Sequence, residues 1–293
     1  MRLLLKFNLI FTLIFGAGLA GAGYVSYWFL QQNAREQVVQ QARLMMETMR
    51  SARDYTIKQI APLLKVEQTR DRVFLPQQVP AFAATESFNY LRARYPDYEY
   101  KEATLNPTNL RDRAVDWEAD VINQFRNHPD QAELIGEREA ATGRSLFLAR
   151  PLKAAPPCLQ CHDRPKDAPV AMIRRYGSAN GFGWKAGEVV AAQVVSVPMA
   201  VPVRMADAAF RVLILYMGGV FLVALIVLDL VLVLTITRPA ARLSAMADKI
   251  SMGDFTVPEL PVKGKDEISA LADSFNRMRR SLERAMKMLD QAG

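Results

Sequence analysis

The sequence predicts an α+β membrane protein: two transmembrane helices, a mixed helix-and-strand domain between them, and a helical module after the second. Three observations predict it. Apolar runs over residues 7–30 and 210–236 each exceed the ~20 residues that cross a bilayer. Alternating segments within residues 31–209 read as strands, and that stretch is long enough for one domain with its own core. Past residue 237 the apolar residues fall at helical three-four spacing.

The first span follows Arg2 and Lys6. Its apolar region is too long for a signal peptide and runs into an aromatic belt, Gly23-Tyr24-Val25-Ser26-Tyr27-Trp28, so it reads as an uncleaved anchor. The stretch from Gly16 to Gly23 is rich in small residues, which let helices approach closely. Arg238 and Arg242 follow the second span, which puts both chain ends on the cytoplasmic side. Asp229 lies inside that span, where a carboxylate is costly; packing or dimer contact is the expected role, with proton or signal work as the other. The net charge of +7 is spread along the chain without a basic block, which argues against nucleic acid as a partner.

The middle domain opens with a helix from Gln31 to about Lys65. One stripe holds Val38, Ala42, Met45, Met49, Ala52 and Thr56, and a neighbouring one Val39, Met46, Arg53, Ile57, Ile60 and Leu64. One stripe suits pairing with a second copy and the other suits packing on the domain. Ser87 to Arg94 reads as a short helix. Tyr98 to Leu105 alternates as a strand, stopped by Asn106-Pro107-Thr108-Asn109. Asp116 to Asn127 carries Trp117, Val121 and Phe125 on one helical face. Ser145 to Leu152 is a strand, Gly177 to Gly187 a glycine-rich turn, and Glu188 to Met199 a β-branched strand.

Cys158-Leu159-Gln160-Cys161-His162 is the motif that carries chemistry, and it holds the only two cysteines of the chain. C-x-x-C-H is the attachment pattern of a c-type haem: two thiols reach the vinyl groups of one porphyrin, and the next His supplies an axial nitrogen. Prolines on both sides place it in a loop. Two other readings stay open, a metal site and a dithiol switch. Structural zinc wants four ligands, and the other His is His128, far upstream. A dithiol switch wants a strand-to-helix context. The reading therefore assigns Cys158 and Cys161 to thioether bonds with one covalent haem c and His162 to the proximal side of the iron. Met46, Met49 and Met45 are candidates for the distal side; Met172, Met199 and His128 are further options, as is an open position for NO, CO or O₂. Arg50, Arg53, Arg174 and Arg175 are cations suited to propionates.

After Thr237-Arg238-Pro239, a short helix bears Leu243, Met246 and Ile250 and ends at Ser251-Met252-Gly253-Asp254. An extended connector with Val257, Pro258, Leu260, Pro261 and Val262 leads to Asp266-Glu267-Ile268. A seam then runs through Ile268, Leu271, Phe275, Met278, Leu282, Ala285 and Leu289. This arrangement over 237–290 resembles a HAMP domain. The resemblance implies a homodimeric parallel bundle that relays motion from a span to an output protein.

The order of features over residues 31–205 resembles a family of periplasmic c-haem domains often followed by a HAMP module. The residues that carry it are Arg53-Asp54-Tyr55 with Pro62, Val79-Pro80, Asn106 to Asn109, Phe147 to Pro151, Cys158 to His162 and Gln193 to Met199. It implies a PAS-like sensor fold, periplasmic over 31–209, in a bacterial inner membrane. Some members use a Cys from the first helix as distal ligand, and this chain has no cysteine there. The expected function is not enzymatic: a sensor of redox state or a small gas. It would signal through HAMP to a separate kinase or other output protein, since no kinase, cyclase or methyl-accepting segment is read after the module. The alternative is a membrane-anchored c-type cytochrome that meets a redox partner, or an accessory subunit of a respiratory or photosynthetic complex.

Overall fold

The computed structural model describes residues 2–64, 73–140, 143–261 and 264–292, with the side chains of residues 2, 3 and 289–292 outside that set. Lys65 and Val262 therefore lie outside the described residues, as do the side chains of Arg2 and Leu289. The chain divides into two compact units. One comprises residues 27–210, the other residues 1–26 with 211–293.

The first helix, α1 (Arg2–Tyr55), runs without a break from the apolar segment into the middle domain and passes into a π turn, Thr56–Ile60. The domain then forms α2 (Pro80–Arg92), β1 (Glu99–Thr104), α3 (Asp116–Asn127), β2 (Leu134–Ala140) and β3 (Gly143–Lys153). The one-turn helix α4 (Leu159–His162), α5 (Val170–Tyr176) and β4 (Val189–Pro198) complete it. The four strands make one antiparallel sheet in the order β1-β4-β3-β2.

Strand alternation divides the core between the two faces of the sheet. Leu146, Leu148, Val195 and Val197 point to the face covered by α1 and α2, where Val38, Val39, Ala42, Met46, Met49 and Phe88 pack. Ala149, Ala192 and Val194 point to the other face, under Val121, Ile122 and Phe125 of α3. β4 is buried at nearly every position because it is central and covered on both sides. The buried face of α1 and the π turn after it draws on both predicted stripes: Val38, Ala42, Met49 and Thr56 from one, Val39 and Met46 from the other.

Several boundaries differ from the reading of the sequence. α2 begins seven residues earlier than the predicted Ser87, because Pro80 occupies the first helical turn, where a missing N–H costs nothing. β2 was not predicted: Glu137-Arg138-Glu139 are polar, as suits an edge strand. The cysteine motif is not a plain loop. It forms a 3₁₀ turn, Pro156–Cys158, followed by the single turn α4, with Pro at the start of the 3₁₀ turn fixing φ.

Ion pairs fasten α1 to the β2–β3 hairpin. Glu133 accepts from Arg43 at 3.0 Å and from Arg150 at 3.0 Å, and Arg150 also pairs with Glu47. Glu137 pairs with Arg35 at 2.9 Å and with Arg144.

Among the described residues, two helices are long and apolar enough to cross a membrane: the one containing α1 and the one containing α6 (Ala200–Leu232), which continues through a π turn, Val233–Thr237. α7 (Arg238–Ser251) follows with Pro239 in its first turn and buries Leu243, Met246 and Ile250. Gly253, at φ +84°, closes it. α8 (Glu267–Ala292) starts where Asp266 Oδ1 accepts from the Ser269 amide at 2.8 Å, an N-cap. Of the predicted seam, Leu271, Met278 and Leu282 are exposed in the single chain; Ala272 and Asn276, which are not part of that seam, are buried.

Candidate functional site

The segment from Ala154 to Gly187 is a loop closed at its base. Ala154 donates to Glu188 O and Gly187 donates to Ala154 O, both at 2.8 Å. Inside it, Cys158 ends the 3₁₀ turn and caps α4, which presents Cys161 and His162, so that all three lie within five consecutive residues. Both cysteines are free and half-buried. Burial, with the neighbouring Cys158, pushes the Cys161 thiol up.

His162 is held on three sides. Its Nδ1 lies 2.7 Å from the Gly181 carbonyl oxygen and 3.4 Å from Thr108 Oγ1. Its ring stacks on Trp184 at 4.0 Å between centroids, with planes 9° apart. A carbonyl only accepts, so Nδ1 carries the proton and Nε2 keeps its lone pair. Burial lowers the pKa of His162, and the bond to Gly181 opposes this only in part. The ring is thus neutral, the form that ligates iron.

Asn106 fixes the Gly181 carbonyl. Its Oδ1 accepts from the Gly181 amide at 3.1 Å, and its Nδ2 donates to Phe182 O at 3.5 Å. Gly181 has φ +84°, and a Cβ there would collide with Thr108 Oγ1 and lie 2.8 Å from the Thr108 nitrogen. Only glycine permits this approach. Backbone bonds lace the turn to α4: Gly183 donates to Asp163 O at 2.7 Å and Trp184 to His162 O at 3.2 Å.

A buried polar chain lies beside the motif. Arg53 on α1 pairs with Glu102 on β1, Tyr100 donates to Glu102 at 2.7 Å, and Gln193 donates to Tyr100 at 3.0 Å. Burial works against the Arg53 charge, but Glu102, Tyr100 and Cys158 stabilise it and leave its pKa raised. Arg53 is therefore committed to an internal carboxylate. Arg50, Arg174 and Arg175 are exposed.

The candidate distal residues are placed as follows. Met46 and Met49 are buried in the sheet core with Leu146, Leu148, Val195, Val197 and Met199; Met45 packs against that cluster. Met49 stands one helical turn before Arg53. Met172 is buried on α5. His128 caps α3, exposed, with Nδ1 3.1 Å from Gln124 O. Thr108, Gly181 and Trp184, the groups brought to His162, had not been assigned a role from the sequence. Among the described residues, no three His, Cys, Asp or Glu side chains gather as a metal-ion cluster.

Comparisons place the chain in a family. A family model described as Tll0287-like matches residues 31–198, and a HAMP domain model matches residues 231–284. A solved structure, described as the crystal structure of the cyanobacterial heme-protein Tll0287, is similar at 16% identity and a TM-score of 0.35. The match covers 39% of this chain and 69% of that one. No curated protein matches. With the first match spanning more than half of its residues, the chain belongs to the Tll0287-like family and joins that domain to a HAMP domain.

Proposed function

We propose that this chain is a transmembrane signal transducer that senses redox state or a small gas through one covalent haem c. One observation carries this reading: two free thiols share a five-residue segment with an imidazole whose Nδ1 is already bound to a carbonyl. The residues fit the group. Cys158 and Cys161 provide the two thioether sulfurs at C-x-x-C spacing, and His162 provides Nε2 as the proximal ligand. Bound there, haem supplies a one-electron couple and an axial position that can exchange its ligand. The name of the similar cyanobacterial protein and the family match both support haem as the cofactor.

The protein's own part is orientation and relay. Gly181 and Asn106 hold the imidazole in one tautomer, and Trp184 pins its ring. Met46, Met49 and Met45 on α1 would be the candidates to supply the distal ligand of such a haem. With haem bound, uptake or release of such a thioether would act on α1, which runs on into the first span, and would shift it. The HAMP domain passes such a shift to a cytoplasmic output partner, and the chain acts as a homodimer in the inner membrane with residues 31–209 in the periplasm. Spans at 7–30 and 210–236 and a HAMP module at 237–290 complete that organisation.

The test is to express the full chain with and without a c-type maturation system. The expected result is a mass increase of one haem and a Soret band only with maturation, both lost in the C158S/C161S double variant. An unmodified mass in the matured protein sinks the proposal. Redox titration with CO or NO addition, in the wild type and in Met45, Met46 and Met49→Leu variants, then separates a ligand-exchanging sensor from a locked carrier.

A further inference from the structure

Asn8 on α1 and Asp229 on α6 meet within the apolar part of the chain. Asn8 Nδ2 donates to Asp229 Oδ2 at 3.2 Å. The remaining oxygen of each side chain, Asn8 Oδ1 and Asp229 Oδ1, is buried and has no hydrogen-bond partner. Both are acceptors as long as Asp229 is a carboxylate, so neither can satisfy the other. Two orphaned acceptors at one contact are a rare and costly arrangement. A single proton removes both defects. With hydrogen on Asp229 Oδ1, the acid donates to Asn8 Oδ1 while Asn8 Nδ2 donates to Asp229 Oδ2. Carboxyl and carboxamide then close a ring of two hydrogen bonds.

The surroundings favour the neutral ring. Phe11, Phe15, Phe221, Ala224, Leu225 and Leu228 line an apolar cavity of ≈ 120 Å³ between the same two helices, starting within one turn of the pair. Among the described residues, no Lys or Arg forms an ion pair with Asp229. Along the two helices, the nearest charged residues are Lys6, two positions before Asn8, and Arg238, nine positions after Asp229. A lone carboxylate beside hydrocarbon is expensive, and intramembrane acids that persist tend to bind protons.

We propose that Asn8 and Asp229 form a proton-binding site inside the paired spans. Asp229 takes one proton from water, an O–H bond forms at Oδ1, and the site becomes neutral. Asn8 is the group that registers the proton, because its Oδ1 gains a donor. Release of the proton leaves two acceptors opposed and removes one of the two bonds that this pair makes between α1 and α6. The ligand is the proton, and the consequence is a link between the spans that tightens when the site is loaded.

Infrared spectroscopy of the full chain in lipid nanodiscs tests this. At neutral pH the wild type is expected to show the carbonyl stretch of a protonated carboxylic acid. D229N is expected to lose that band and keep the fold, since a carboxamide reproduces the donor and acceptor of the neutral acid. N8A is expected to keep the band but shift it to higher frequency, as the acid loses its partner. Aspartate isotope labelling assigns the band in the wild type should D229N fail to fold. A folded wild type with only ionised carboxylate bands overturns the proposal, and so does an acid band that N8A leaves in place.

Discussion

The His162 ring nitrogen Nδ1 lies 2.7 Å from the backbone carbonyl oxygen of Gly181, nineteen residues further along the chain. The bond holds the ring by a group that no side-chain substitution removes directly. What can be altered is the backbone that places the carbonyl. Gly181 adopts φ +84°, which in an L-residue costs roughly 1–2 kcal/mol, and its Cβ would also strike Thr108. Gly181→Ala should therefore displace the carbonyl from His162. If the proposed haem is held there, the expected result is a lower yield of haem per chain and, in the haem that remains, a rise in reduction potential, because an imidazole without its carbonyl partner is a weaker donor to ferric iron, or loss of the low-spin spectrum. An unchanged spectrum and potential would show that the ring needs no such anchor.

The Arg53–Glu102 pair makes a sharper stability prediction. Glu102 is 5% exposed and Arg53 17%. Removing one partner of a buried pair strands the other charge, at a cost of about 3–5 kcal/mol. Arg53→Met should lower stability by that order in denaturant unfolding of the full chain. The double change Arg53→Met with Glu102→Gln should recover much of it, because Tyr100 can still donate to the amide oxygen. If the double variant is no better than the single one, the pair acts by packing alone.

Asp112 carries a pH dependence whose sign can be stated. It sits at the end of the 3₁₀ turn Leu110–Asp112. Burial, aided by Glu102 and opposed by Arg111 and Lys101, pushes its carboxyl from 3.8 up to about 6. Below pH 3.8 both folded and unfolded chains hold the proton, so the group contributes nothing. Between 3.8 and about 6 the unfolded chain ionises first, so stability falls as pH rises. Above about 6 the penalty is constant, on the order of 2–3 kcal/mol before solvent screening. Asp112→Asn should thus stabilise the protein at pH 7 and make no difference near pH 3.5. Thermal unfolding across that range checks it, and a gain that does not vary with pH would rule the mechanism out.

Local signals in the sequence located most elements because local chemistry decides them. Trp117, Val121 and Phe125 mark one face of α3 and the helix ends where predicted. The β-branched run at 189–198 is the central strand. The C-x-x-C-H motif marks the candidate attachment residues on its own. The rest depends on contacts distant in sequence. Asn106 to Asn109 and Gly177 to Gly187 each read as a turn, but nothing local reveals that Asn106 and Thr108 meet Gly181 across 75 and 73 positions. Arg53 looked like a solvated cation or a propionate partner until β1 brought Glu102 beneath it. β2 escaped notice because an edge strand with Glu137, Arg138 and Glu139 lacks the alternation that marks a half-buried one.

Asn276 offers a test of the connector between α7 and α8. Its side chain, 3% exposed, accepts from the Leu260 amide at 3.1 Å and donates to the Leu260 carbonyl at 2.9 Å. One carboxamide thus serves both polar groups of one connector residue, as a neighbouring strand would. Asn276→Ala leaves the N–H and C=O of Leu260 unpaired, at about 1–3 kcal/mol for each group that water cannot reach. Asn276→Asp keeps an acceptor for the amide but loses the donor and sets a carboxylate against the carbonyl. The expected order of amide-exchange protection at Leu260 is wild type, then the Asp variant, then the Ala variant, with α8 protection falling less. Arg279 supports the same connector by donating to Phe255 O at 3.0 Å, so Asn276→Ala should loosen the stretch around Leu260 more than that around Phe255. Equal loss at both places would mean that the connector is held as one body and that Asn276 is not its local clamp.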